Sequence, residues 1–140
     1  MDYIGIQAYF PLTKNKNPNL AEIKAGWSPH FSMLQALSEK HKKPILFTEV
    51  GYKSQSNTTI EPWKWKSFLD PLLHKKSFTS QRRAYEALFD TFWKQEWFAG
   101  IYIWQWDARS SEEKAKYNHD FSPRYKPAQN VIAKWYGKEN

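Results

Sequence analysis

The sequence predicts an α/β fold in which parallel β-strands alternate with α-helices. Three apolar, β-prone runs recur along the 140 residues, and amphipathic helical patterns lie between them. The runs are almost continuously apolar, which is typical of strands that are buried on both faces of a parallel sheet. Alternation of such strands with helices indicates right-handed βαβ crossovers.

The three predicted strands are bounded by clear breaks. The first covers Tyr3–Phe10 and is stopped by Pro11. The second covers Ile45–Val50, and the third covers Gly100–Trp106 and ends at Asp107.

Three helices fill the intervals between and after the strands. The first is predicted from residues that recur at helical spacing before the Lys42-Lys43-Pro44 stop, namely Phe31, Leu34, Leu37 and His41. The second has Ser80 as its N-cap and an apolar stripe of Tyr85, Leu88, Phe89, Phe92 and Trp93. The third runs from about Pro127 to Trp135, with Gly137 just beyond its end.

Long loops follow the strands, whereas the connections from helix to strand are short. The predicted loops are Pro11 to Pro29, Lys53 to Thr79 and Ala108 to Lys126. This asymmetry matches a (β/α)8 barrel, in which the βα loops form the active face. A full barrel takes about 250 residues, so three units are less than half of one. We therefore expect one partial domain over residues 1–140, with alternate strand residues facing the barrel centre: Ile4, Ile6, Ile45, Phe47, Ile101 and Ile103.

Charge and residue composition reduce the number of ligand classes that this chain is expected to bind. The net charge of +7 raises nucleic-acid binding, but the basic residues are scattered rather than clustered, which favours a solvated surface and no nucleic-acid partner. The eight Trp, eight Tyr and nine Phe residues suit either the stacking of sugars or a heavily aromatic core. The histidines show no metal-ligand spacing and cysteine is absent, so neither a metal nor a cofactor is predicted.

The chain has no stretch that could span a membrane, and no membrane partner is predicted. Because Met1-Asp2-Tyr3 leads directly into a strand without a signal peptide, we expect upstream sequence to be missing. The sequence does not identify the cellular compartment, and it is compatible with an exported parent protein.

Glu49 is the leading candidate for a catalytic residue. It lies near the end of the apolar run Ile45–Val50 and is followed at once by Gly51. An unpaired carboxylate is costly inside a core, and catalytic side chains of barrel enzymes lie at the C-terminal ends of strands. A structural glutamate that caps a loop or pairs with a lysine is an equally good interpretation of this segment alone.

A series of motifs occurs in one order along almost the whole chain. They are Asp2–Leu12, Lys43–Ser54, Pro62–Trp65, Gln81 with Arg83–Phe89, Trp97–Gly100, Trp104–Asp107, Phe121–Arg124 and Lys126–Ala128. Together they resemble glycoside hydrolase family 113, with the first two resembling its sixth and seventh strands and the last two the end of its barrel. The resemblance implies the C-terminal part of a TIM barrel, about strands six to eight, with a retaining clan A mechanism and endo-β-1,4-mannanase activity.

The resemblance also implies roles for individual residues. Glu49 falls on the nucleophile at the end of strand seven, and Tyr9 falls on the residue of strand six that hydrogen-bonds the nucleophile. Strand eight supplies the tryptophan floor of the sugar site, for which Trp106 is a better candidate than Trp104 because it lies nearer the C-terminal end.

Three further residues are expected to bind the substrate, an oligo- or polysaccharide. Trp63 and Trp65 lie in the loop after the second strand, where at least one indole is expected to stack on a sugar. The alternative is that both rings pack inward and anchor the loop. Asp107 is expected to bond local amides or a sugar hydroxyl.

The general acid of a retaining enzyme is the part that this chain lacks. In clan A it is a Glu at the end of strand four, usually preceded by Asn, and the sequence contains no Asn-Glu pair. We therefore expect the isolated chain to be inactive, and its open sheet edges to pair with the missing barrel half or with other copies. The alternative is a non-catalytic carbohydrate-binding or degenerate barrel fragment.

Overall fold

The computed structural model describes residues 2–65 and 67–137. Its three strands form one parallel sheet in the order β1-β2-β3, as predicted. The strands and helices, in chain order, are β1 (Ile4–Gln7), α1 (Leu20–His41), β2 (Ile45–Val50), α2 (Asp70–Leu73), α3 (Phe78–Phe92), β3 (Phe98–Ile103), α4 (Glu112–Tyr117) and α5 (Pro127–Trp135). The short helices α2 and α4 lie in segments that the sequence predicts to be loops.

Helix α1 begins at Leu20, nine residues before Pro29, where the predicted loop ends. A capping box starts it: the Asn19 side chain accepts a hydrogen bond from the Glu22 amide at 2.9 Å, and the Glu22 carboxylate accepts one from the Asn19 amide at 2.7 Å. Pro29 lies inside the helix, so the prediction of a loop up to Pro29 is wrong from Leu20 onward.

Helix α3 also begins earlier than predicted, with Ser77 rather than Ser80 as its N-cap. The Ser77 hydroxyl accepts a hydrogen bond from the Ser80 amide at 3.1 Å. Strand β1 is shorter than its apolar run, and β3 is displaced toward the N-terminus, ending at Ile103 rather than Trp106.

The core lies between the sheet and helices α1 and α3. Phe47 is fully buried, and its ring lies 6.2 Å from that of Trp27 on α1 and 5.1 Å from that of Phe92 on α3. Ile45 is likewise fully buried in this cluster, and the other four residues predicted to face the barrel centre belong to it or pack against it. The prediction for all six is therefore wrong, because the helical layer takes this face of each strand.

The opposite face of the sheet is open. Its exposed positions include Gly5, Gln7, Thr48 and Tyr102. In a closed barrel this concave face is the interior, which neighbouring strands and side chains fill. The sheet consequently presents one packed face and one accessible face, and its C-terminal edge carries the candidate site.

Candidate active site

Glu49 lies at the centre of the C-terminal edge of the sheet. The Ala8 amide, just after β1, donates to the Glu49 carbonyl at 2.7 Å. On the other side, the Trp104 amide, just after β3, donates to the Val50 carbonyl at 2.7 Å. The segments that follow all three strands therefore meet around Glu49.

Two side chains from the β1 segment hydrogen-bond the Glu49 carboxylate. The Gln7 amide Nε2 donates to Oε2 at 3.0 Å, and the Tyr9 phenol donates to the same carboxylate. Burial raises the pKa of Tyr9 well above its ordinary value, and the charge of Glu49 and the hydrogen bond to it add to the effect. Tyr9 thus stays protonated and acts as a donor to the carboxylate. The predicted proximity of Tyr9 to Glu49 is present in the structure.

An aromatic platform, formed by Trp104, Trp65 and Phe121, adjoins the carboxylate edge. The ring of Trp65 lies edge-on to Trp104 at 6.0 Å and to Phe121 at 5.8 Å. Trp104 itself is fixed by close backbone packing, because a Cβ on Gly51 would lie 1.8 Å from the Trp104 carbonyl oxygen. Its peptide bond to the next residue is cis.

Trp65 and Trp63 are both accessible to a ligand, since 62% and 51% of their surfaces are exposed. Only Trp65 belongs to the aromatic platform. Stacking on sugar rings requires an accessible indole face held in place, and Trp65 combines exposure with two ring contacts.

Trp106 occupies a different position from the one expected. It lines a cavity of about 360 Å³ together with Ile132, Ala133 and Tyr136 at the end of α5. Strand β3 ends at Ile103, so both tryptophans lie beyond it and strand alternation does not choose between them. The contact of Trp104 with Trp65 favours Trp104 over Trp106 as the floor of the site, whereas the sequence favours Trp106.

Asp107 bonds the backbone of its own loop. Its carboxylate accepts a hydrogen bond from the Arg109 amide at 2.9 Å. This bond lowers the pKa of Asp107, and the charges of Arg109 and Arg124 lower it further. Burial acts in the opposite direction but is the weaker effect. The same residue lines a polar cavity of about 860 Å³ after β3, together with Arg109, Ser110, Glu113, Lys114, Tyr117, Asn118 and Asp120.

The loop after β2 begins with an unusual run of buried polar residues. Lys53 through Thr59 are all buried. The Lys53 ammonium lies 3.6 Å from the Asp70 carboxylate, which also accepts a hydrogen bond from Gln55 at 3.2 Å. This buried network ties the start of the loop to α2, and Trp65 lies between the two anchored ends.

Gln7 is the site residue that the sequence analysis missed. Within the predicted strand Tyr3–Phe10, alternation puts Gln7 on the same face as Tyr9, and this was the available signal. Glu61, another carboxylate near the site in sequence, instead pairs with Lys64 at 3.2 Å.

The described ranges contain no group of three His, Cys, Asp or Glu side chains placed to hold a metal ion. Among the same residues, no helix is both long and apolar enough to cross a membrane.

Comparison with known proteins gives a family and a fold. The model of Glycoside Hydrolase Family 113 matches residues 1–126. Among solved structures, a GH113 β-1,4-mannanase complex matches with a TM-score of 0.79 and 23% identity, over 99% of this chain and 40% of that one. The GH113 β-mannanase AaManA from Alicyclobacillus acidocaldarius, in complex with ManMIm, matches with a TM-score of 0.78 and 26% identity. The match covers 99% of this chain and 39% of AaManA.

A β-glucuronidase from Faecalibacterium prausnitzii shares the fold at a TM-score of 0.57 and 17% identity, over 99% of this chain and 22% of that one. Comparison with curated proteins gives no match. The chain spans about 40% of the length of the solved mannanases, and their superposition identifies the three βα units as part of a TIM barrel.

Proposed function

Because this chain belongs to Glycoside Hydrolase Family 113, we propose that it is the C-terminal part of a retaining enzyme that cleaves β-1,4-mannan or a related β-linked polysaccharide. Residues 1–140 supply strands six to eight of the barrel, and the N-terminal strands are supplied by sequence outside this chain. Glu49 is the nucleophile, and Tyr9 supports its ionised form.

One observation carries this proposal. The Glu49 carboxylate lies at the C-terminal edge of a parallel sheet, the edge at which barrel enzymes hold their catalytic groups. It accepts hydrogen bonds from Tyr9 and Gln7, and the Trp104 amide donates to the carbonyl of the next residue, Val50. Attack on a sugar ring requires donors that favour the charged carboxylate and a surface that positions the ring.

The chemistry takes two displacement steps. Glu49 attacks the anomeric carbon while a second carboxyl protonates the departing oxygen, and water then cleaves the glycosyl ester with that second group acting as base. The two carboxyls of a retaining site lie about 5 Å apart. Since the sequence has no Asn-Glu pair, the second carboxyl is assigned to the missing strands, and this chain holds half of the site.

The substrate assignment draws on the mannanases that share the fold, one of which was solved with ManMIm bound. In this chain the sugar next to Glu49 stacks on Trp104. A neighbouring sugar contacts Trp65, and Trp63 lies farther along the same loop. Asp107, in its polar cavity, bonds a hydroxyl of a more distant sugar.

An activated substrate tests the nucleophile without the general acid. In 2,4-dinitrophenyl β-mannoside the leaving group departs without protonation, so glycosylation of Glu49 needs only the nucleophile. We expect the chain to release a burst of dinitrophenolate and then to stall, because the glycosyl ester lacks a base to activate water. Added azide, which needs no base, should restore turnover and produce mannosyl azide.

The matched control is Glu49→Gln, which keeps the shape of the side chain and removes the nucleophile. Neither form should release reducing ends from mannan. A burst that is equally large in Glu49→Gln would contradict the assignment. Binding of manno-oligosaccharides without any burst would favour the alternative, a non-catalytic carbohydrate-binding or degenerate barrel fragment.

A further inference from the structure

Gln7 is the last residue of β1 and lies directly opposite Glu49 in the sheet. The two residues are partners in the parallel register, and Gln7 Nε2 donates to Glu49 Oε2 at 3.0 Å. A hydrogen bond to an ionised acceptor is about twice as strong as one between neutral groups. Because a carboxamide does not titrate, this donor is present at every working pH.

An irregularity in the register brings the two side chains together. Ile6 pairs with Phe47 but Gln7 pairs with Glu49, so Thr48 is an extra residue on β2. The Thr48 hydroxyl donates to the Ile6 carbonyl at 3.2 Å and helps to hold this bulge. In a regular strand Glu49 would share the helix-facing side of the buried Phe47. The bulge turns it to the open face, where Gln7 lies.

The terminal torsion of a glutamate is broad, so a carboxylate at a strand end does not hold one orientation by itself. A hydrogen-bond donor held against Oε2 selects a single orientation of the carboxylate. We propose that Gln7 is a positioning residue that holds the Glu49 carboxylate in its attacking orientation. The proposal rests on the role of Glu49 as nucleophile and assigns to Gln7 a task separate from that of Tyr9, which favours ionisation.

The kinetic test compares burst rate constants for 2,4-dinitrophenyl β-mannoside. Gln7→Met keeps the length of the side chain and removes the donor. We expect the burst rate constant to fall about tenfold, while the concentration that gives half the maximal rate stays unchanged, because Gln7 contacts Glu49 rather than the sugar.

The chain provides a matched control in Gln35, whose Nε2 donates to Glu39 Oε1 at 3.1 Å on α1. Gln35→Met removes the same type of bond elsewhere and should leave the burst unchanged. Equal thermal unfolding midpoints of wild type and both variants establish that the folded structure is intact, and Gln7→Asn repeats the test if Gln7→Met unfolds.

A pH profile separates positioning from a structural role. In Gln7→Glu two carboxyl groups would share one proton, which should move the half-maximal burst to higher pH. Tyr9 is the titratable side chain bonded to Glu49. Because its pKa is raised above its ordinary value, Tyr9 stays protonated at the pH values where carboxyl groups titrate. An unshifted profile in Gln7→Glu would overturn the proposal.

A readout that does not depend on catalysis is the side-chain amide signal of Gln7 in ¹⁵N–¹H spectra, assigned by its loss in Gln7→Met. Glu49→Ala should shift this signal and leave that of Gln35 in place. An unmoved Gln7 signal, or a burst unaffected by Gln7→Met, overturns the positioning role while Glu49 remains the nucleophile. A burst that Glu49→Gln does not reduce removes the proposed function and this inference with it.

Discussion

Replacing Asp70 with asparagine tests what anchors the loop that carries Trp65. The exposed fractions of the Lys53 and Asp70 side chains are 1% and 6%, and their charged groups lie 3.6 Å apart. At that distance and an effective dielectric constant near 20, the gross attraction is about 5 kcal/mol. Asp70→Asn keeps the shape and the Gln55 hydrogen bond but leaves the buried ammonium without a counter-charge.

Removal of one partner from a buried pair costs about 3–5 kcal/mol. We expect the lower end, about 3 kcal/mol of the free energy of unfolding, because the bond to Gln55 survives. The control is Glu61→Gln, which breaks the Lys64–Glu61 pair at 3.2 Å. These side chains are 53% and 43% exposed, and the loss should stay below about 1 kcal/mol.

The pH dependence follows from the pKa of Asp70. Burial raises it, but the hydrogen bond from Gln55 and the charge of Lys53 outweigh burial and lower the pKa. Burial also lowers the pKa of Lys53, and Asp70 offsets this only in part, so the ammonium bears the desolvation cost. Since the folded pKa of Asp70 lies below the unfolded value of about 3.9, its contribution is present above that pH and is lost as pH falls through the folded pKa.

The assay is urea unfolding of dilute protein, followed by tryptophan fluorescence. The difference between wild type and Asp70→Asn should shrink as the pH falls below about 4. If Asp70→Asn loses no more stability than Glu61→Gln at about pH 7, or if the difference does not shrink below about pH 4, the buried pair does not anchor the loop.

The aromatic platform, the Gly51 contact and the open sheet edges each give a measurable outcome. Trp65→Ala should weaken manno-oligosaccharide binding, followed by tryptophan fluorescence, by up to about tenfold, and by more than Trp63→Ala does; equal effects would contradict the platform. Gly51→Ala should lower the free energy of unfolding by about 1–3 kcal/mol, because its Cβ must displace the Trp104 carbonyl; an unchanged unfolding midpoint would refute that contact. The unpaired edges of β1 and β3 should make the isolated chain associate as concentration rises, and light scattering that reports a monomer throughout would exclude this.

The order of strands and helices could be predicted because parallel strands and amphipathic helices leave different periodicities. The start of α1 was obscured by Pro29, which usually ends a helix but here lies within one. The capping signal of Asn19 and Glu22 was present in the sequence, and it outweighs the tendency of Pro29 to end a helix.

The direction of each strand face could not be predicted in the same way. Both faces of a parallel strand are apolar, so the pattern around Phe47 does not tell the helical side from the barrel side. Only the packing of Phe47 against Trp27 and Phe92 distinguishes them.

The sequence motifs point to Glu49 and Tyr9, which lie together in the structure, and the catalytic roles of both residues stay predictions. The choice between Trp104 and Trp106 depends on contacts of the loop after β3, which the sequence does not mark. The contact of Gln7 with Glu49 depends on a bulge that alternation alone does not predict.

Covalent trapping tests the central claim, that Glu49 is the nucleophile of a half-site, most directly. A 2-deoxy-2-fluoro-β-mannoside with a dinitrophenyl leaving group can glycosylate the nucleophile without a general acid, and the fluorine slows hydrolysis of the ester. Peptide mass spectrometry of the treated chain should locate one fluoromannosyl group on Glu49 and none in Glu49→Gln. Attachment to Glu61 or Asp107, or no adduct on folded protein, would contradict the account.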